Sequence, residues 1–368
     1  MKATIKQVNF TRALNQVSRV VGTRTTLPVL SNILLSAKKG QITLAATDLE
    51  IGIKTTVGGK VETEGELTVP ARLLADFIVN NNDDSIEMKA TDLKLNLKSA
   101  HFEANINGIG ADEFPTIPEI PTDFSCRIKK ADFIDAVKKV IIAPANDETR
   151  PTLAGIYCHF SGKDLVLAAT DSYRLAEKKL ILETEVPERK MIVPTKTMAE
   201  VVRVISSQAE VNVISISAAE NQIFFSAGET SLVSRLIEGA FPPYNQIIPR
   251  DFKVTAVADS KEFLAGIKMA ALFAKDAANN IRVTTKKTEL VVNSALAQSG
   301  DATSRVSAEV SGEEMEIAFN ARYLIDALGA VSSKNISLKL NDGSSSGVLG
   351  FDDDRDYLYI VMPLKIDN

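Results

Sequence analysis

Aspartate, cysteine and histidine are the side chains whose positions could indicate catalysis or metal binding. His159 directly follows Cys158 in a strand pattern, so the two side chains point to opposite faces of that strand. They can therefore neither chelate one metal ion nor form a nucleophilic dyad. Asp48 and Asp171 each end a copy of the peptide Leu-Ala-Ala-Thr-Asp, and either could supply a catalytic carboxylate. Because the peptide is duplicated, we interpret both aspartates as turn residues that bond the backbone.

Signals for an enzyme or a cofactor are otherwise weak. The sequence contains neither a phosphate-binding P-loop motif nor a dinucleotide-binding G-x-G-x-x-G motif. His101 and His159 are its only histidines. The acidic run Asp352–Asp354 separates two strand patterns, which favours an exposed hairpin turn over a cation site. The sequence therefore predicts a non-catalytic protein that needs no cofactor and no metal.

The composition is that of an ordinary globular protein. Its 368 residues are 45% hydrophobic and 24% charged, with a formal net charge of −5. No apolar run approaches the ~18 residues of a membrane-spanning helix, and residues 1–6 lack the apolar core of a signal peptide. Cys126 and Cys158 are too few for a disulfide framework. We therefore expect a protein of the reducing cytoplasm with no membrane partner.

The elements that position these residues recur along the chain. Pro28 and Asp48 reappear as Pro151 and Asp171 at one constant offset, near a third of the chain length. Such self-similarity indicates three copies of one unit. Each copy holds two helix patterns among strand patterns, an order typical of an α+β fold with mostly antiparallel sheets. Two proline-rich linkers separate the copies, and the predicted domains are residues 1–121, 122–249 and 250–368.

The second helix pattern of each copy has a recognisable start. Its first turn contains Pro70 in the first copy and Pro194 in the second, where a proline loses no hydrogen bond. In the third copy Asn320 can cap the helix instead. Apolar residues at helical spacing predict the buried face of this helix in the first copy, namely Leu73, Leu74, Phe77 and Ile78.

Positive charge is concentrated on the helix patterns, whereas strand patterns and loops are acidic. On four helices two cations are seven or eight residues apart, so they share the face opposite the apolar residues. These pairs are Arg12 with Arg19, Lys130 with Lys138, Lys196 with Arg203, and Lys261 with Lys268. If these faces line one surface, it suits a polyanion held by its phosphates without base readout. Simple solvation of the cations remains the alternative for any one helix.

Six short segments carry a resemblance to one protein family, in matching order across the whole chain. They are residues 26–32, 46–50, 69–72, 169–176, 241–244 and 359–364. On these segments the chain resembles the bacterial DNA polymerase III beta subunits, the sliding clamps. The resemblance implies an α+β clamp fold of three similar domains, arranged as a half-ring that dimerises into a closed ring. Such a clamp is not an enzyme. It encircles duplex DNA without sequence preference and tethers the replicative polymerase.

The resemblance also implies partners and site residues. The partners would be duplex DNA, a second copy of the chain, the DNA polymerase III catalytic subunit, the clamp loader, and peptides of other replication and repair proteins. DNA would contact Arg24, Arg72, Arg150 and Lys196, and the dimer seam would contain Ile106, Leu272 and Phe273. Partner peptides would dock in a pocket formed by Leu153, Thr170, Ser172, Tyr173, Arg174, Leu175, Pro242, Gln246, Ile247, Ser344, Ser346, Val361, Met362, Pro363 and Leu364. Ser172, Tyr173 and Gln246 differ from the commonest family residues, which bears on the peptide preference.

A second function stays open at this point. A repeat adaptor could bind protein partners through the same apolar pocket and never encircle DNA. The two functions differ in their response to Arg24→Ala, which should weaken DNA contact by a clamp and leave peptide binding unchanged. An adaptor would be indifferent to DNA with or without this arginine.

Overall fold

The computed structural model describes residues 1–22, 27–121, 123–147, 149–275, 278–294 and 300–365. Within these ranges the chain forms six α-helices. They are α1 (Gln7–Val17), α2 (Ala71–Val79), α3 (Lys130–Val140), α4 (Thr195–Ser206), α5 (Ser260–Ala274) and α6 (Ala321–Gly329). None of these described helices is long and apolar enough to cross a membrane.

Strands make up most of the remaining described structure. In chain order they are β1 (Lys2–Lys6), β2 (Asn32–Lys38), β3 (Gln41–Thr47), β4 (Ile51–Gly58), β5 (Lys60–Thr63), β6 (Gly65–Pro70), β7 (Ser85–Thr91), β8 (Lys94–Lys98), β9 (Glu103–Asn107), β10 (Ser125–Lys129), β11 (Gly155–Thr170), β12 (Arg174–Pro194), β13 (Val213–Ala218), β14 (Gln222–Ala227), β15 (Thr230–Arg235), β16 (Val254–Asp259), β17 (Asn280–Lys286), β18 (Glu289–Ser294), β19 (Thr303–Ser311), β20 (Met315–Asn320), β21 (Asn335–Leu340), β22 (Gly347–Phe351) and β23 (Tyr357–Val361).

The chain forms two compact units, and unit 1 comprises residues 1–130 and 200–236. It contains a five-stranded sheet in the order β5-β1-β7-β8-β9 and an eight-stranded sheet in the order β10-β13-β14-β15-β4-β3-β2-β6. In the larger sheet β15 pairs antiparallel with β4, from Thr230 opposite Thr55 to Ser234 opposite Ile51. Since β15 belongs to the second sequence copy and β4 to the first, two copies complete one sheet.

Unit 2 comprises residues 131–199 and 237–368. It contains a ten-stranded sheet in the order β11-β12-β23-β22-β21-β16-β19-β18-β17-β20. Here β23 of the third copy pairs antiparallel with β12 of the second, with Val361 opposite Arg174 and Tyr357 opposite Lys178. Strands of adjacent copies thus share a sheet again, which explains why two compact units do not coincide with three sequence copies.

The predicted helix signals are confirmed in most places. Phe10, Phe133 and Phe263, which begin the first helix pattern of each copy, are at most 1% exposed. Asn320 caps α6, because its side chain accepts a hydrogen bond from the backbone N–H of Arg322 at 3.0 Å. The predicted α+β order with antiparallel pairing is therefore what the chain forms.

Helix α2 differs from its prediction in two details. Pro70 is the N-cap residue that ends β6, one position before the first helical turn. Leu74 and Ile78 are fully buried as predicted, and Phe77 is partly buried. The prediction of a buried Leu73 is wrong, since this side chain is 54% exposed. Successive helical residues are about 100° apart, so a nine-residue helix buries positions 74 and 78 while position 73 faces outward.

The acidic run 352–354 lies in the turn between β22 and β23, and Asp354 is the centre of an ion network. Lys139 of α3 donates to Asp354 and to Asp135, each at 2.6 Å, and Lys178 of β12 donates to the other Asp354 oxygen. Both lysine side chains are 10% exposed. Burial disfavours the charged carboxylate, but the hydrogen bonds from the two lysines outweigh it and lower the pKa of Asp354 below its ordinary value.

Replacing Asp354 with asparagine should lower the free energy of unfolding by about 3 kcal/mol, because two nearly buried ammonium groups lose their shared carboxylate. A carboxylate whose pKa falls on folding stabilises the protein fully above its unfolded-state pKa, and this stabilisation is lost as the pH falls through the folded-state pKa. The difference from the wild type should therefore be full at pH 7 and shrink below about pH 4. Urea unfolding across this range measures it. Asp352→Asn, at an exposed carboxylate, is the control, and a difference independent of pH would contradict the assignment.

Candidate functional site

A tight turn after β11 begins the candidate site. Thr170 Oγ1 donates to the carbonyl of Arg174 at 2.6 Å and accepts from the N–H of Ser172 at 3.1 Å. Asp171 Oδ1 accepts from the N–H groups of Tyr173 and Arg174 at 2.9 and 3.0 Å. These bonds confirm the predicted structural role of Asp171. The turn leaves the Tyr173 side chain 57% exposed.

Arg174 ties this turn to helix α6. Its Nε donates to Asp171 Oδ2 at 3.1 Å, and its Nη1 donates to Asp326 Oδ2 at 2.6 Å. The guanidinium also lies 4.5 Å from the centroid of the Tyr323 ring, in cation–π geometry. Tyr323 and Asp326 were not predicted as site residues. Their spacing of three places both on one side of a helix, but only the fold brings that side to Arg174.

The last strand supplies a second wall of the site. The N–H of Met362 donates to the carbonyl of Tyr173 at 2.8 Å, which continues the pairing of β23 with β12. Val361 is fully buried, whereas Met362 is 39% exposed. Beyond it, the N–H of Leu364 donates to the carbonyl of Ala318 at 2.8 Å. The chain is thus anchored on both sides of Met362, whose side chain stays accessible.

The proline-rich linker forms the third wall. Tyr244 packs with Leu175 and Ile360 in one buried cluster. Its hydroxyl donates to Glu177 Oε2 at 2.5 Å, and burial together with this bond raises the pKa of Tyr244. Three residues further on, Ile247 is 54% exposed. The buried tyrosine therefore anchors the linker and holds an apolar side chain at the surface.

We call this surface the C-terminal groove. Its exposed apolar side chains are Tyr173, Ile247 and Met362, and its floor contains Leu175 and Tyr244. The remaining predicted pocket residues occupy several positions. Leu153 and Thr170 are buried, Ser172, Pro242 and Gln246 are exposed, and Pro363 and Leu364 are partly buried.

Ser344 and Ser346 lie in the turn between β21 and β22, where Ser344 donates to Asp342 at 2.8 Å. The segment 343–347 has the G-x-S-x-G spacing of a hydrolase nucleophile motif. It joins two strands, however, whereas that motif requires a strand followed by a helix. The hydroxyls of Ser344 and Ser345 both donate to the Asp342 carboxylate, so the segment serves as a turn.

The two cysteines and His159 occupy positions unsuited to chemistry. Both cysteine thiols are free and buried, and burial raises the pKa of Cys126 to about 12. Cys158 is buried while His159 Nε2 lies 3.1 Å from Glu188 Oε1 on the more open face, which confirms their opposite orientations. Within the described ranges, His, Cys, Asp and Glu form no group of three that could hold a metal ion.

The cations predicted to contact DNA occupy different kinds of position. Arg72 and Lys196 are exposed and are each the second residue of a helix, α2 and α4 respectively. Arg150 lies instead beside the C-terminal groove, where its Nη1 donates to Ser172 Oγ at 3.2 Å. Arg24 lies outside the described residues. Arg322 is exposed at the equivalent second position of α6 and was not predicted as a DNA contact, although the recurrence of the second helix pattern indicates its equivalence.

Comparison with known proteins covers nearly the whole chain. Three models of DNA polymerase III beta subunit domains match this chain. The N-terminal domain model matches residues 1–118, the central domain model 127–243 and the C-terminal domain model 245–365. The beta sliding clamp of Synechococcus elongatus is 32% identical over 375 residues, which is 100% of both chains. Two solved structures also match over 100% of both chains. They are the DNA polymerase III beta subunit from Thermotoga maritima, with 26% identity and a TM-score of 0.93, and the sliding clamp from Pseudomonas aeruginosa bound to griselimycin, with 29% identity and a TM-score of 0.94.

The chain belongs to the DNA polymerase III beta subunit family. It is a processivity clamp of DNA replication with no catalytic activity of its own. The predicted clamp fold of three domains is confirmed. Family membership also decides between the two functions left open by the sequence, in favour of the clamp over the adaptor.

The residues predicted for the dimer seam of this clamp differ in accessibility. Leu272 of α5 is 57% exposed, and Phe273 is half-buried. The Phe273 ring lies 3.8 Å from the position that a Cβ atom on Gly300 would occupy. Ile106 lies on the edge strand β9, but its side chain is only 2% exposed. Any contribution of Ile106 must therefore come from its backbone. Met269, 54% exposed one turn before Phe273, was not predicted.

Proposed function

We propose that two copies of this chain close a ring around duplex DNA in the cytoplasm. The ring contacts phosphates through cations on its helices and docks peptides of the polymerase, the clamp loader and repair proteins in the C-terminal groove. The seam, the DNA-contacting cations and the groove are each supported by a different feature of the described residues.

Two strand edges, one in each unit, support the seam. β15 and β23, which end the second and third copies, pair with β4 and β12. β9, which ends the first copy, has no strand on its outer side in the described sheet. Among described residues, Thr303–Ser307 of β19 pairs on one side only, with β18. Antiparallel pairing of β9 with β19 of a second copy would satisfy both edges, and two such head-to-tail contacts close a ring.

The positions of three cations support contact with DNA. Arg72, Lys196 and Arg322 are exposed at the second position of α2, α4 and α6. A cation at this position is repelled by the helix macrodipole, whose N-terminal end is positive. Helix stability therefore does not explain their recurrence, whereas contact with a phosphate backbone would explain it. Arg24 and Arg150 remain predictions for the same role.

The exposure of apolar side chains supports peptide docking. Tyr173, Ile247 and Met362 are each at least 39% exposed around a buried apolar floor. Exposed apolar side chains beside one buried apolar cluster are typical of a protein-interaction site. The paired guanidinium of Arg174 gives the groove a fixed polar edge.

Retention on DNA tests the ring directly. The protein is loaded onto a nicked circular duplex with its cognate clamp loader and ATP, and the circle is then cut once. A ring held by topology should remain on the circle through gel filtration and leave after the cut. Equal retention on circular and linear DNA would contradict encirclement and indicate ordinary adhesive binding. Retention on neither, with a loader shown to be active on another clamp, would contradict the proposed ring closure.

A further inference from the structure

Unit 1 contains a turn with the same hydrogen bonds as the turn of the C-terminal groove. Thr47 Oγ1 donates to the carbonyl of Ile51 at 2.9 Å and accepts from the N–H of Leu49 at 3.0 Å. Asp48 Oδ1 accepts from the N–H groups of Glu50 and Ile51 at 3.1 and 2.8 Å. The two turns therefore match residue for residue, from 47–51 to 170–174.

A strand end also runs along this turn as it does in the C-terminal groove. The N–H of Arg235 donates to the carbonyl of Glu50 at 3.1 Å, just as that of Met362 donates to Tyr173. The preceding residue, Ser234, pairs with Ile51 of β4. The end of the second copy is thus placed on the first copy as the end of the third is placed on the second.

The proline-rich linker completes the correspondence. Ile117 packs over Gly52 together with Val233, across the junction of β4 and β15. Ile120, the counterpart of Ile247, is 45% exposed. Beneath the linker lies a buried apolar cluster of Val29, Leu30, Ala45 and Phe114. Unit 1 therefore has the same three walls and an apolar floor.

Two positions that are polar in the C-terminal groove carry apolar residues in this second surface. Arg150 and Ser172, which are joined by a 3.2 Å hydrogen bond, correspond to Leu27 and Leu49. These leucines are 47% and 48% exposed. Leu49 also has a φ of 75°, in the left-handed region that leucine rarely adopts. A large apolar side chain held outward on an unfavourable backbone is better explained by binding than by stability.

The flanking charges indicate what kind of partner fits. Glu50 and Glu119, both exposed, take the places of Tyr173 and Gln246. Arg235 is the one cation gained, at the position of Met362. The second surface is therefore more acidic than the C-terminal groove as well as more apolar at Leu49. A partner with apolar side chains next to lysine or arginine complements it.

We propose that this surface, the N-terminal groove formed by Leu27, Leu49 and Ile120, is a second docking site for short extended peptides with a basic flank. The assignment rests on the proposed role of the C-terminal groove, because the two share one architecture. Each chain then has two docking points of different charge preference, so one partner can be held at two places or two partners at once.

Peptide selection with the C-terminal groove disabled tests this inference. A phage-displayed library of random ten-residue peptides is selected against the full-length Met362→Asp protein. Selected sequences should combine two or more apolar residues with lysine or arginine. As synthetic peptides they should bind the double variant Leu49→Asn with Ile120→Asn at least about tenfold more weakly than they bind the wild type. Asparagine tolerates the left-handed backbone, so this variant should keep the wild-type melting temperature.

Three outcomes would overturn the second site. The Met362→Asp protein could select no peptide, the selected peptides could be acidic, or their affinity could be unchanged by the double variant. Selection of peptides on the wild-type protein distinguishes failure of the N-terminal groove from failure of the C-terminal groove as a docking site. Peptides that depend on Met362 support the C-terminal groove whatever happens at the N-terminal groove, and their absence counts against the C-terminal groove alone.

Discussion

Leu272→Ala combined with Phe273→Ala should convert the dimeric clamp into monomers. Leu272 is 57% exposed on α5, and Phe273 lies over Gly300, a few residues before the unpaired edge of β19. Burial of these side chains at the seam would contribute roughly 3 kcal/mol that alanine cannot supply. Because a two-copy ring has two seams, the losses add to about 6 kcal/mol, or about 10⁴-fold in the dissociation constant.

Light scattering at micromolar concentration measures this change as a fall from the dimer mass to the monomer mass. Leu73→Ala, which truncates a 54% exposed leucine on α2, is the matched control and should remain dimeric. Phe273 is half-buried, so Leu272→Asp alone serves as a second variant that leaves the packing over Gly300 intact. Dimers of unchanged mass in both variants would contradict the assigned seam.

The fold was predictable from the sequence where the signal is local. The repeated Thr-Asp turn needs only residues 47–51 or 170–174 to form, and each predicted carboxylate bonds the backbone as expected. The pairing of strands from adjacent copies within one sheet was not predictable. Pairing of β23 with β12 joins residues nearly two hundred positions apart, and the hydrophobic alternation of a strand does not specify its neighbour.

The groove residues were predictable only in part, for the same reason. Tyr173 and Met362 belong to segments that carry the family resemblance, and the structure joins them by a backbone hydrogen bond of 2.8 Å. Tyr323 and Asp326 lie on a helix whose apolar spacing says nothing about the arginine it will meet. Leu73 shows the complementary limit, because an amphipathic pattern in a nine-residue helix does not fix which of two adjacent leucines faces the core.

Ile247→Asp and Met362→Asp should each strongly weaken binding of a peptide bearing the clamp-binding motif of the DNA polymerase III catalytic subunit. Both side chains are exposed above the floor formed by Leu175 and Tyr244. Each substitution removes roughly 2 kcal/mol of apolar burial and obliges a carboxylate to lose water in the complex. We therefore expect at least about a 100-fold loss of affinity for either variant, measured by fluorescence anisotropy with a labelled peptide.

Ile181→Asp is the control that distinguishes loss of an apolar contact in the groove from a general effect of added negative charge. Ile181 is 68% exposed on β12, in the same unit as Ile247, and carries the same substitution. It should bind the peptide as the wild type does, and all three variants should keep the dimer mass, because none alters α5 or β9. Equal loss in Ile181→Asp would mean that charge repels the peptide from a distance. Wild-type affinity in both groove variants would remove Ile247 and Met362 from the binding site, and with them the three-walled groove as the place where the polymerase is tethered.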